Sequence, residues 1–285
     1  MTLQLRRGRE GDAAAIGEIC YRAFKSLADL HNFPPDFPSA EVAAGVLAGM
    51  IGHEGFFDQV AEIDGRIVGS NFLDERGPIS AVGPITVDPA TQNDGAGHAL
   101  MAAVMERSVK RGFPGVRLVQ AAYHSRSLAL YLKLGFEARE LLACLQGPDM
   151  GRAMEGYAVR PATGEDLAAC NRLCFAVHGH DRGGELAGAV AQGAAQVVER
   201  QGRITGYATA IAYFGHAVAE TNGDLMALIA AAPAILGPGV LVPARNGALM
   251  RWCLGQGLRI TQTMTLMSMG LYNEPQGAWL PSVLY

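Results

Sequence analysis

PITVDPATQNDGAGHALM, residues 84–101, is the stretch on which the reading of the fold turns. An apolar, β-branched run meets an Asp-Pro turn, then Gln92-Asn93-Asp94-Gly95-Ala96-Gly97, then a helical pattern. In that pattern Ala99, Leu100, Ala102, Ala103, Val104 and Val109 form one apolar stripe. Gly112 and Pro114 end the helix. A strand feeding a Gly-rich loop that opens a helix is the layout of an anion cradle. The helix start offers unpaired N–H groups and the positive end of its dipole, and glycine lets the backbone close on the anion. The same bare pattern recurs at Arg203-x-x-Gly206-x-Ala208, inside the strand-like run RITGYATAIAY with no helix after it. Context therefore carries the meaning, not the string.

Composition sets the bounds. A chain of 285 residues holds one large domain or two ordinary ones, and 49% hydrophobic residues supply a core. A formal net charge of −4 lacks the basic excess of a nucleic-acid-binding surface. No apolar run has the length of a membrane span. MTLQLRRGREGD reads as a first strand, not as a secretion signal. The cysteines, Cys20, Cys144, Cys170, Cys174 and Cys253, match no zinc spacing, which predicts no metal and a reducing, cytoplasmic setting. His178-Gly179-His180 reads as a solvated loop.

The chain also repeats itself. LRRGREGDAAAIGEICYRAF (5–24) matches VRPATGEDLAACNRLCFAVH (159–178), aligning Arg6 with Arg160, Asp12 with Asp166 and Cys20 with Cys174. GRIVGSN (65–71) then matches GRITGYA (202–208) at a smaller offset, so the second copy is shorter by about the length of segment 31–47. Two tandem domains of one kind are expected, 1–147 and 157–285, joined by a Gly-rich linker over 148–156. The first reads as strand 3–7, helices 13–26 and 39–51, strands 57–63, 66–74 and 79–88, the cradle and helix 95–111, strand 116–121, helix 125–134 and strand 136–145. That order predicts the α/β class, a mixed central β-sheet flanked by helices.

A second constellation follows the cradle. HSRSLALYLKLGF (124–136) reads as a helix closed by Gly135, with Ser127 and Tyr131 at i and i+4 on one face. The strand, the Gln92-x-x-Gly95-x-Gly97 loop and Tyr131-x-x-x-Gly135-Phe136, in that order, resemble the GCN5-related N-acetyltransferase (GNAT) family across residues 3–146. The second copy resembles the degenerate acetyltransferase-like domain of some two-domain members. The resemblance implies an acetyl-CoA-dependent N-acetyltransferase acting on a primary amine of a small molecule or peptide by direct transfer in a ternary complex. It implies that the backbone of Ile85, Thr86 and Val87 pairs with the pantetheine arm. It further implies that the N–H groups of Gln92, Asn93, Asp94, Gly95, Ala96 and Gly97, with His98 and Ala99, hold the pyrophosphate. Tyr131 would protonate the leaving thiolate with a phenol near its ordinary pKa of about 10. His124 would donate to a CoA amide, and Ser127 would be a hydrogen-bonding group on the cofactor side.

Two departures stand out. His124 replaces an Asn common in the family, and ISAVGPITV lacks the Glu that many members carry on this strand. Glu54, Asp36, His31 and His53 are the candidate bases near the acceptor segment HNFPPDFP (31–38). In the second copy Gly223-Asp224 and Cys253 replace cradle and tyrosine, which favours a structural or acceptor-shaping role. The terminal stretch GLYNEPQGAWLPSVLY is expected to pack across the first domain near the acceptor site. A non-catalytic acyl-CoA-binding or regulatory protein stays open as an alternative, as does a homodimer. No nucleic acid and no membrane are expected as partners.

Overall fold

The computed structural model describes residues 2–91 and 94–285. The first half runs β1 (Leu3–Arg6), α1 (Ala13–His31), α2 (Ala40–Ile51), β2 (Phe56–Ile63), β3 (Arg66–Asp74), β4 (Ser80–Val82), β5 (Thr86–Val87), α3 (Ala96–Lys110), β6 (Gly115–Ala121), α4 (Ser125–Lys133) and β7 (Glu137–Gln146). The second runs β8 (Ala158–Pro161), α5 (Leu167–His178), α6 (Gly183–Ala191), β9 (Gln196–Arg200), β10 (Arg203–Ala208), β11 (Ala217–Ala219), α7 (Asn222–Ala231), β12 (Val240–Pro243), α8 (Gly247–Gly255), β13 (Arg259–Gly270) and β14 (Ala278–Leu280). The order in the first half is the one read from the sequence, except that the strand expected over 79–88 is broken into β4 and β5 around a cis Gly83–Pro84 bond.

The larger sheet has the order β1-β2-β3-β4-β6-β13-β7-β12, with β5 on β3; the smaller has the order β14-β11-β10-β9-β8. The sheets do not divide at 148–156. β13 lies between β6 and β7, antiparallel to both, pairing Met264 with Ala121 through Gly270 with Gly115 on one side and Arg259 with Gln146 through Ser268 with Glu137 on the other. β12 adds beyond β7. RITQTMTLMSMG has the alternation of a strand, but nothing local in it names a partner strand. Met267 joins the first-half core of Leu73, Val82, Met101, Val104, Leu118 and Phe136, under α3 and α4. Met264 and Leu266 join the core shared with Cys174, Tyr207, Tyr213 and Trp279. On the other face of the first half, Ile16, Cys20, Ala43, Leu47, Val60 and Phe72 bury α1 and α2. Gly17 lets these two helices touch, because a Cβ there would meet the Ala44 backbone at 2.5 Å.

The internal repeat is visible as one ion-pair cluster built twice. Arg6 reaches Asp12 at 2.6 Å and Glu62 at 2.6 Å; Arg160 reaches Asp166 at 2.8 Å and Glu199 at 2.6 Å. Each Asp also accepts the N–H of the residue three before it, Arg9 or Thr163, at 2.8 Å. Hydrogen bonding from Arg160 holds the Asp166 carboxyl well below the usual carboxylate range. Such a group stabilises the fold above its unfolded pKa of about 3.9 and loses that contribution as pH falls toward its folded value. Asp166→Asn is therefore expected to cost about 1 kcal/mol at neutral pH. In urea titrations the difference should shrink as the pH drops toward about 3.

The expectation of a solvated His178-Gly179-His180 loop is corrected. His178 is buried with its ring on Trp279, and His180 Nε2 shares a 3.1 Å hydrogen bond with the Tyr285 hydroxyl. The Tyr285 ring also covers the guanidinium groups of Arg117 and Arg182. Residues distant in sequence close over this polar turn, so its burial has no local signature.

Candidate active site

The site begins where two strands part. β4 and β6 run parallel and pair only at Ser80–Val116 and Ala81–Arg117. Past Val82 the chain swings away, and β5 pairs with β3 instead, at Gly69–Val87 and Ser70–Thr86. Gly69 permits that approach, since a Cβ there would lie 2.5 Å from the Thr86 carbonyl oxygen. The gap left beside β6 widens into a cavity of about 400 Å³. Ile85, Thr86 and Val87 line one wall, and Leu118, Val119, Gln120 and Ala121 the other.

One end of the cavity is the start of α3. Gly95 caps the helix at φ +82°, a backbone region natural to glycine. Gly95, Ala96, Gly97 and His98 line the cavity. The first helical N–H groups, from Ala96 to His98, have no acceptor within the helix. The reading is corrected at Ala99. Ala99 does not offer a donor, because its N–H is bonded to the Gly95 carbonyl at 3.0 Å, and Asp94 is exposed outside the cavity wall. Gln92 and Asn93 lie outside the described residues.

The start of α4 faces the same space. His124, Arg126, Ser127 and Tyr131 line it. His124 Nδ1 and the Ser127 hydroxyl are 2.7 Å apart. Burial, with Arg126 and His31 nearby, lowers the His124 pKa, so this imidazole is neutral near pH 7. Tyr131 is 6% exposed and meets Phe136 edge-on at 6.1 Å. Gly135, at φ +95°, turns the chain so that Phe136 folds back on it. Burial pushes the Tyr131 hydroxyl up to about 12, against a smaller downward pull from hydrogen bonding to Ser127. The phenol is therefore a weaker acid than its ordinary value suggests.

The far end draws on both halves. Phe24, Leu27 and Ala28 of α1, Asp36 and Phe37 of the loop after it, and Tyr123 come from the first. Tyr213, Phe214, Gln262, Met264, Val283 and Leu284 come from the second. Val283 and Leu284 of the terminal stretch thus line this cavity, tied by the Val283 N–H to the Tyr213 carbonyl at 2.8 Å. Tyr123 donates to Gln262 Oε1 at 2.7 Å, and Gln262 Nε2 reaches Asp36 Oδ1 at 3.5 Å. Desolvation raises the Asp36 carboxyl to about 6, partly offset by Gln262. Of the four candidate bases only Asp36 is in the wall. His53 and Glu54 are exposed and outside it, and His31 packs its ring on Tyr123.

Gln120 and Gln262 were missed from the sequence. Gln120 is 5% exposed, and neither its amide nitrogen nor its amide oxygen has a partner among the described residues. Its signal was an amide on a strand that is apolar apart from Arg117. Gln262 gave none, because its partners belong to the other half.

The second half has the corresponding helices, and a cavity of about 340 Å³ at the start of α7, lined by Thr221, Asn222, Arg245, Asn246 and Trp279, but not the open strand edge. β14 pairs antiparallel along β11, from Ala217–Leu280 to Ala219–Ala278, and packs by β12, filling the gap between those strands. Asp224 sits at the start of α7, accepting from Thr205 and Thr221 hydroxyls at 2.6 Å each and from Arg200 at 3.1 Å. Its carboxylate also accepts the Thr221 N–H at 3.0 Å, so this helix start is capped by the chain itself. Cys253, at the position matching Tyr131, is buried.

Parallel strands that part above an open helix start, with a phenol in the gap, define a GNAT-type fold. The family model of the Acetyltransferase (GNAT) family matches residues 24–136, within the first half of the chain. Three solved structures are similar over nearly its whole length. One is a protein from Pyrococcus horikoshii assigned as an acetyltransferase (TM-score 0.73, 16% identity, 96% of this chain and 91% of that one). The second is a GCN5-related N-acetyltransferase from Sphaerobacter thermophilus (0.64, 17%, 95% and 96%). The third is a tandem GNAT protein from the clavulanic acid biosynthesis pathway (0.56, 13%, 94% and 98%). At these identities the likeness is one of fold. No match was found among curated protein sequences. Among the described residues no helix is long and apolar enough to cross a membrane.

Proposed function

We propose that the chain is an acetyl-CoA-dependent N-acetyltransferase that moves an acetyl group directly to a primary amine. The observation that carries this reading is a single cavity bounded by the α3 helix start, Tyr131 and Asp36. The N–H groups of Gly95 to His98 would hold the pyrophosphate, and the free edge of 85–87 would hydrogen-bond the pantetheine amides. The orphaned Gln120 amide would take a polar group of the bound donor. The amine attacks the thioester carbonyl carbon, the C–N bond forms and the C–S bond breaks. Before the attack the Asp36 carboxylate takes one proton from the entering ammonium; the leaving sulfur takes the Tyr131 proton, and the tyrosinate takes the remaining surplus proton from the nitrogen. Ser127 and His124 orient the phenol. The second half, from 157 onward, shapes the acceptor end and does no transfer of its own. The filled β11–β12 gap, Asp224 and Cys253 support that division.

CoA release over a panel of amines tests the reading; acetyl-CoA binding with no release from any amine would make the protein a non-catalytic acyl-CoA binder. A pH profile of kcat tests the base. Asp36 acts only when ionised, so kcat should climb as pH rises through about 6. Asp36→Asn should abolish that limb and lower kcat about a hundredfold. An unchanged limb in the variant removes Asp36 as the base.

A further inference from the structure

We propose that the acceptor is a primary monoamine on a compact apolar body, aromatic or branched aliphatic, with no carboxylate and no second cationic group. This rests on the acetyltransferase reading above and narrows its substrate. The cavity lining carries both signs of charge. Arg126 and the start of α3, with its dipole, offer the positive groups a polyphosphate needs. Asp36 is the one carboxylate among the described lining residues, with Gln262 beside it. Phe24, Leu27, Phe37, Phe214, Met264 and Leu284 line the same cavity.

Each part of that arrangement selects. An ammonium leaving water for apolar walls needs a carboxylate beside it, and Asp36 supplies one. Gln262 donates toward Asp36 and is itself held by Tyr123, so the carboxylate is kept in the wall without an ion pair to a cation among the described residues. Rings and branched side chains on several sides favour a hydrophobic body over a peptide backbone, whose amides would find few partners there. A second ammonium, as in a diamine, would be desolvated with no counter-charge. The carboxylate of an amino acid would face Asp36 in the same low-dielectric space. Four of these wall residues, Phe214, Gln262, Met264 and Leu284, come from the second half, so that half decides which amine fits.

The test is calorimetric titration of the full chain loaded with CoA. The probes are 2-phenylethylamine, its neutral analogue 2-phenylethanol, 1,4-diaminobutane and phenylalanine. 2-Phenylethylamine should bind at least about a hundredfold more tightly than the diamine or the amino acid. Asp36→Asn should weaken 2-phenylethylamine by at least about tenfold and leave 2-phenylethanol unchanged, which also shows that the variant is folded. Equal or tighter binding of the diamine or amino acid overturns the proposal, as does an amine affinity indifferent to Asp36→Asn. The two readings fail separately. CoA release with a diamine as preferred acceptor keeps the transferase and removes this substrate class. The predicted binding order without CoA release from any amine keeps the pocket's selectivity and removes the transferase.

Discussion

Tyr131→Phe is expected to lower kcat by about ten- to a thousandfold while leaving the affinity for acetyl-CoA within about twofold. The substitution deletes one oxygen from a ring that is 6% exposed and packed on Phe136, so volume and melting temperature should hardly change. What it deletes is the proton for the leaving sulfur. Burial lifts the hydroxyl to about 12, so it is fully protonated at neutral pH. An ordinary thiol titrates near 8.5, which would make this phenol a reluctant donor. A thiolate expelled into the same dry cavity is raised by the same desolvation, however, which narrows the mismatch. The measurement is CoA release against donor titration. Wild-type turnover in the variant would falsify the acid role, and a loss confined to donor affinity would recast Tyr131 as a binding group.

A chain ended at residue 147 is expected not to fold, although it contains the cradle, Tyr131 and Asp36. Removing β13 strips β6 and β7 of the strand between them and leaves their facing edges open. It also removes Met267 from the core over which Tyr131 sits. The loss of one buried methionine costs about 2–5 kcal/mol, comparable with the whole stability of many domains, and the sheet hydrogen bonds go with it. The truncated chain should aggregate or melt without a cooperative transition, and adding residues 148–285 as a separate chain should restore a sigmoidal melt. A soluble 1–147 fragment with its own sharp melting transition would show that the first half is self-sufficient.

Much of the site was legible because its parts are local. Gly95 has to sit where φ is positive at a helix start, and Gly135 has to turn the chain behind Tyr131; both leave glycines at readable positions. Ser127 and Tyr131 share a face because a helix repeats every 3.6 residues. The paired Arg–Asp clusters at Arg6 and Arg160 were legible for the same reason, each spanning a strand and the turn after it. The errors lie where the environment is distant. Ala99 falls inside the loop-and-helix motif, yet its N–H is taken by the Gly95 carbonyl, which closes the first helical turn. His178 and His180 looked solvated because the aromatic residues that cover them lie about a hundred positions on.

Asp36 shows the boundary most clearly. Its residue type and its place in a Pro-rich loop made it one of four equal candidates. It is singled out by Gln262, Phe214 and Leu284, which arrive from the other end of the chain and remove water from around it. The sequence by itself determined the order of strands and helices, the cradle, the tyrosine helix and the duplication, because each is written in short-range periodicity and turn chemistry. Only the tertiary structure decided that β13 completes the first sheet, that β14 fills the second gap, and that one carboxylate stands among apolar walls. Strand pairing and desolvation depend on which segments meet in space, and no local pattern in the chain records that.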